Sequence, residues 1–341
     1  MTNVNWLHIV KLNAVASKPP INVDTKKLAM YWMKTCFTCQ WWLGVLIAIC
    51  LTACAPESIQ RSVQVADQLK KEGRLFSHQL VQVSSSLHYM ATCDIRPLAG
   101  SDLRCEQHPT VKRVLVFFHG TPGDWTSFSP QLADRQWGSD SLLVSIDRPG
   151  WGQSALDSER IEPSLARQAQ DIAPLLLQLK RQFEGARVYL VGHSLGATLV
   201  PIIALEVPEL VDGVVAIAGD LSTQAFSPRW YNHIANFPVI RAILPREMCF
   251  ANEEVLALTD NLQQMEVNWD KLLSPMLVLQ GERDGLVDPR NALLAKDKPP
   301  PGGVTVIMYP ELGHLMHLVE VEKVNAEIKK WIDGQEQGDS Q

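Results

Sequence analysis

With 341 residues, 46% hydrophobic and 20% charged, the chain has ordinary globular composition and enough apolar material for one large core. The net charge is −6, and no run of Lys or Arg interleaves with aromatics, which argues against a nucleic-acid partner. There are no internal repeats, and the only low-complexity tract is the short loop at 298–303.

The first 53 residues differ from the rest. Positions 41–53 read WWLGVLIAICLTA, an uncharged apolar run too short for a span of about 20 apolar residues. With Lys34 just upstream, the run fits the core of a signal peptide, and one starting at Met33 would have ordinary length. Leu51-Thr52-Ala53-Cys54 resembles the bacterial lipobox, which implies cleavage before Cys54 and a lipid on that cysteine. A plain secretory signal or a short membrane anchor is the alternative. Ala55 is not the aspartate associated with inner-membrane retention, so the expected location is the bacterial cell envelope, at the outer membrane. Cleavage would leave 26 basic against 36 acidic residues, a net charge of −10, so lipid and not charge would hold the body to a membrane.

Seven cysteines occur, and Cys93, Cys105 and Cys249 follow Cys54. In an oxidising compartment Cys93 and Cys105, which flank the turn-like segment 97–101, could be bridged, or all three could be free buried thiols. No His/Cys cluster has zinc spacing, so neither metal nor cofactor is expected.

Residues 54–74 read as a linker with a polar helix over 58–71. Two alternating runs, 77–83 and 86–92, then predict an antiparallel hairpin. Short apolar runs follow at 111–119, 142–147, 188–192, 214–218, 276–280 and 304–308, separated by helix-like segments at 127–135, 164–183, 195–206, 289–294 and 315–331. Strands apolar on both faces need cover on both sides, so residues 75–341 read as one doubly wound, mostly parallel α/β domain. The stretch 220–270 has no strand-like run but several aromatics; a small helical cap is the expectation, an ordinary surface insertion the alternative.

Chemistry concentrates where strands end. Gly192-His193-Ser194-Leu195-Gly196 lies between a buried strand and a helix, where a sharp turn lifts a serine hydroxyl above the sheet and the helix start offers free amides. Ser194 is the candidate nucleophile. His119-Gly120-Thr121-Pro122-Gly123 follows an earlier strand; the Thr121 and Leu195 amides are candidate oxyanion donors, and His119 reads as a loop brace. Pro122 has no N–H to give. Asp147-Arg148-Pro149-Gly150-Trp151-Gly152-Gln153-Ser154 reads as structural.

Asp284, 90 residues after Ser194 and just past a strand, is the candidate acid that would orient a histidine; Asp220 is a competitor, and Asp288 suits a helix cap at Pro289. His314, after the last strand, is the candidate base, and His317 is expected to face a helix groove or solvent.

The order Ser–Asp–His and the motifs HGTPG, DRPGWGQS, GHSLG, GERDGLV and LGH together resemble the α/β-hydrolase superfamily, in its serine-nucleophile branch with an HGxPG loop and short cap. Epoxide hydrolases and haloalkane dehalogenases of that branch use aspartate where this chain has Ser194. The resemblance therefore implies acyl transfer to water, with carboxylic esters, small or lipid, as leading substrates. An aminopeptidase or amidase is the runner-up; it would need acids near the cap, and Glu253 and Glu254 are candidates unless they are surface charge. A non-catalytic binding lipoprotein is the rival from another class.

Overall fold

The structure, a computed structural model, describes residues 56–82, 85–92, 111–156 and 160–338. Residues 1–53, Cys54, Cys93 and Cys105 lie outside these, and with them the signal peptide, the lipidation site and the disulfide question.

Helix α1 (Glu57–Lys71) precedes the hairpin β1 (Phe76–Val81) and β2 (Ser85–Thr92). Then come β3 (Arg113–Phe118), β4 (Ser141–Ile146), a two-residue β5 (Ala155–Leu156), β6 (Arg187–His193), β7 (Gly213–Ile217), β8 (Met276–Gly281) and β9 (Val304–Tyr309). The sheet order is β1-β2-β4-β3-β6-β7-β8-β9, with β5 on β2. β1, β2 and β4 pair antiparallel, and every pair from β4 to β9 is parallel. The chain winds outward from β3 in both directions, so the order reverses between β3 and β6. In open α/β sheets the crevice beyond the strand ends at such a point is where ligands bind.

Alternate residues explain the double cover. Val114, Val116 and Phe118 of β3 join one core layer, whereas Leu115 and Phe117 join the other. The first layer is filled by α3 (Leu165–Gln182) and α4 (Leu195–Glu206). α3 starts at Ser164, whose Oγ accepts the Arg167 amide, and α4 buries ten of its twelve residues, as a helix apolar all round must. The second layer receives Ala66 and Leu69 of α1 and Val324 and Ile328 of the terminal helix.

Two segments depart from the expected helices. The stretch near 127–135 is a 3-10 turn, a five-residue helix α2 (Ser129–Ala133) and a second 3-10 turn. Asp124 and Asp134 each accept an amide two residues on (Thr126 at 2.8 Å, Gln136 at 2.9 Å) and so restart the chain twice.

The segment expected as one helix over 315–331 is split at Glu320. Met316, His317 and Leu318 are all buried, and three consecutive residues cannot share one apolar stripe of a helix. Between β7 and β8 lie α5 (Trp230–Ala235), α6 (Pro238–Arg241) and α7 (Arg246–Val267). α8 (Arg290–Asp297), α9 (Met316–Val319) and α10 (Val321–Gly338) complete the order. No helix among the described residues is long and apolar enough to cross a membrane.

Candidate active site

The turn after β6 is tight enough to fix its sequence. Ser194 sits at φ 54°, ψ −121°, a conformation that costs a non-glycine residue on the order of 1–3 kcal/mol. It persists because its surroundings leave no alternative: its amide donates to the Ile217 carbonyl at 2.9 Å, and its own carbonyl accepts the Ala197 amide. A Cβ on Gly192 would lie 2.1 Å from the Gly196 carbonyl oxygen, and one on Gly196 would lie 2.1 Å from that of Phe118. Only glycine on both sides allows the turn to close against β3. Leu195 is the first residue of α4, so its N–H has no intrahelical acceptor and points out of the helix start.

Ser194, Leu195, Thr121, Asp220, Asp284 and His314 line one cavity of about 710 Å³ at the carboxyl ends of the parallel strands. Further wall comes from Phe226, Tyr231, Val255 and Leu258 of the β7–β8 insertion, so the insertion covers this end of the sheet.

Within the cavity His314 Nδ1 bonds Asp284 Oδ2 at 2.8 Å. The other oxygen, Oδ1, accepts the Leu286 and Val287 amides at 2.8 and 2.9 Å, and Gln280 Nε2 approaches Oδ2 at 3.2 Å. Burial alone would raise the Asp284 carboxyl. The hydrogen bond and charge of His314, helped by the two amides, outweigh it and hold the group below the ordinary carboxylate range. An ionised Asp284 fixes the imidazole proton on Nδ1 and leaves Nε2 as an acceptor.

The competitor acid, Asp220, also lines the cavity, but its partner is Asn291 Nδ2 at 3.0 Å. Burial pushes its carboxyl up from 3.8 to about 7. Asp288 accepts the Arg290 amide at 2.9 Å at the start of α8, the capping role its sequence position suggested.

Three histidines behind the cavity surface are buried and neutral. His193 Nε2 donates to the His314 carbonyl at 2.9 Å, which steadies the backbone of the residue that faces Ser194's cavity. His317, expected in a groove or in solvent, is instead 1% exposed and packs its ring 3.9 Å, centroid to centroid, from that of His193 and 5.2 Å from that of Phe128. The short α9 carries it inward. His119 Nε2 accepts the Arg148 amide at 3.0 Å, so Nδ1 carries the proton and donates to the Gly120 carbonyl at 2.7 Å. Burial, then the Arg148 charge, drives His119 down to about 3; burial, then His314, does the same to His317. His193 falls well below its ordinary value through burial and the neighbouring His317 and His314.

These groups contribute to the pH dependence of stability. On unfolding, each imidazole takes up a proton below its ordinary 6.5, whereas Asp220 gives one up above 3.8. The histidines outnumber the carboxyl, so between about pH 4 and 6 the unfolded chain binds more protons and stability rises with pH. Replacing His317 by Gln should lower that slope by about 1.4 kcal/mol per pH unit, and Asp220→Asn should steepen it by a similar amount. Urea unfolding at stepped pH reads both; unchanged slopes would show that the two groups keep ordinary protonation in the fold.

The DRPGWGQS motif does more than shape a loop. Asp147 is buried and accepts from Trp125 N (2.9 Å) and Gln153 N (2.8 Å) and bonds His88 Nδ1 (2.7 Å), a bracing position far from proton chemistry. Arg148 is fully buried. Its Nε and Nη2 donate to the His119 and Gly120 carbonyls at 2.9 and 3.1 Å, and its guanidinium makes a two-pronged pair with Glu254 of α7, at 2.7 and 3.0 Å. Gln168 and Trp151 also donate to Glu254, at 2.9 and 3.2 Å. Glu254 is therefore neither a surface charge nor an amine-gripping acid, as the sequence had allowed; it ties the insertion to the loop that carries Thr121. Glu253 is spoken for too, in an ion pair with Arg241. Among the described residues no His, Cys, Asp and Glu side chains converge in a metal-holding group.

The sequence profile of the alpha/beta hydrolase family matches residues 115–327, and the chain belongs to that family. It is 25% identical over 254 residues to the monoglyceride lipase of Homo sapiens, covering 65% of this chain and 83% of that protein. Solved structures share the fold. An esterase from Thermogutta terrifontis superposes with a TM-score of 0.56 at 17% identity, over 76% of this chain and 99% of the esterase. A membrane phospholipase A described as a bacterial virulence factor gives 0.53 at 18% identity, over 87% and 98%.

Proposed function

We propose that this hydrolase acts on carboxylic esters through an acyl-enzyme on Ser194. The observation that carries the reading is the 2.8 Å bond between His314 Nδ1 and Asp284, in the same cavity as a serine held at positive φ on a helix start. His314 Nε2 takes the hydroxyl proton as Ser194 Oγ attacks the carbonyl carbon. The oxyanion lies against the Thr121 and Leu195 amides, each donor worth about 3 kcal/mol of barrier. The C–O bond to the alcohol breaks, and His314 returns the proton to it. Water then repeats the sequence on the acyl-serine and releases the acid. Asp284 orients His314 and balances its charge throughout.

Ester over amide is supported by the engagement of Glu253 and Glu254 in ion pairs, which leaves neither free for a substrate ammonium. Phe226, Val255 and Leu258 offer the cavity an apolar wall suited to an acyl chain, and the likeness to a monoglyceride lipase favours lipid esters. The lipobox-like run ending at Cys54 supports tethering by lipid at the bacterial outer membrane.

The test is hydrolysis of p-nitrophenyl esters from acetate to palmitate by the full chain in detergent. Turnover with a chain-length optimum beyond acetate is expected. Folded protein with no turnover on any ester, but release from amino-acyl amides, would contradict the reading.

A further inference from the structure

The insertion over the cavity presents an apolar face that the fold does not use. Of the sixteen large apolar residues exposed among the described residues, seven fall within 230–248, including Trp230 (73% exposed), Phe237 (61%), Val239 (75%) and Ile243 (64%). Neither α5 nor α6 buries a single residue. What holds α5 to α7 is polar: Asn232 Nδ2 donates to Asn252 Oδ1, and Asn252 Nδ2 to the Asn232 carbonyl, both at 3.0 Å. The apolar side chains are thus left outside the bonds that fix the helix. A patch of this kind beside a pocket mouth marks an interaction surface.

Charge says what covers it. The chain as a whole is acidic, yet residues 229–248 contain three arginines (Arg229, Arg241 and Arg246) against a single acid, Glu247. Arg229 lines the cavity, its Nη2 donates to the Gly285 and Leu286 backbone carbonyls, and among the described residues no carboxylate makes an ion pair with it. Arg246 lies over the Phe250 ring at 4.8 Å, and Glu253 offsets Arg241. Exposed aromatics with arginines at their edge are the composition of an element that lies in the headgroup region of an anionic bilayer. The face is continuous with the cavity, because Tyr231 beside Trp230 and the exposed Leu286 both line it.

We propose that the 229–248 face docks on an anionic lipid surface and seats the cavity mouth at the headgroups. This contact is separate from any anchor at Cys54: an anchor fixes distance, and the face fixes orientation. An ester could then pass from the layer into the cavity without crossing water. That last step rests on the ester reading above; the docking does not.

The full chain is mixed with vesicles of phosphatidylglycerol and phosphatidylcholine in equal parts, carrying brominated acyl chains that quench nearby tryptophan. The parent should be quenched more than Trp230→Phe, which keeps the apolar contact but removes the reporter, and the difference should vanish on pure phosphatidylcholine. The triple variant W230S/F237S/V239S should lose about tenfold or more in hydrolysis of monoacylglycerol held in these vesicles, with p-nitrophenyl acetate turnover unchanged. Equal quenching of parent and Trp230→Phe would overturn the proposal. So would equal loss on both substrates, or a concentration-dependent dimer abolished by the triple variant, which would assign the face to a second copy. If no ester is hydrolysed at all, the chemistry fails, and the quenching still decides the docking.

Discussion

Ser194→Ala should reduce ester turnover by roughly a million-fold while leaving the fold intact. The residue is half-buried at the head of α4, and its side chain makes no cap hydrogen bond to that helix. Alanine keeps the Cβ that the turn already accommodates, so the melting temperature should move little. Asp284→Asn should cost about ten-thousand-fold, because an amide at that place can donate to Nδ1 and leave the imidazole proton on the nitrogen that must accept. The two effects should not add in the double variant, since both residues act on one proton transfer. Rates from each variant, with circular dichroism to show folding, check this. Additive losses, or a Ser194→Ala variant within a hundred-fold of the parent, would contradict the shared step.

The largest expected stability effect lies elsewhere. Glu254→Ala should destabilise the protein by about 3–5 kcal/mol, because it leaves the Arg148 guanidinium fully buried without its counter-charge. That is a large share of the 5–15 kcal/mol typical of a whole domain. Removing both charges with apolar residues of similar size, as in R148M/E254M, should recover much of the loss, since the pair itself must offset a heavy desolvation cost. Activity should not recover with it. Arg148 also donates to the His119 and Gly120 carbonyls, so the loop bearing Thr121 would lose its brace even in a stable double variant. Urea unfolding and ester turnover on the single and double variants separate the two roles; a Glu254→Ala change below about 1 kcal/mol would show that water reaches the pair.

This pair also marks where reading the sequence stops. Strands β3, β6, β7 and β8 are legible because a strand covered on both faces must be apolar at every position, and the residues that follow each strand are legible because a parallel sheet gathers those ends together. Ser194 and Asp284 follow two of these strands, β6 and β8, and His314 follows the edge strand β9. Arg148 and Glu254 carry no such signal. They are 106 residues apart, and an arginine after a strand or a glutamate on a helix reads as surface unless its partner is known. His317 is hidden for a related reason: three consecutive buried residues, Met316 to Leu318, do not fit the single apolar stripe that helical periodicity registers, so the inward turn of the short α9 leaves no signal. The short turns at Asp124 and Asp134 depend on side chains competing with the helix ladder, which periodicity does not register. The apolar exposure of 230–248 was written in its aromatics, but pattern alone does not tell an exposed face from a packed one.

The most direct test of the central claim is covalent labelling of the full chain with a fluorophosphonate, followed by peptide mass analysis. Attack by an activated Ser194 should place one phosphonyl group on the peptide bearing GHSLG, and His314→Ala should abolish the label. A folded chain that stays unlabelled, or that carries the label on another residue, would contradict Ser194 as the nucleophile.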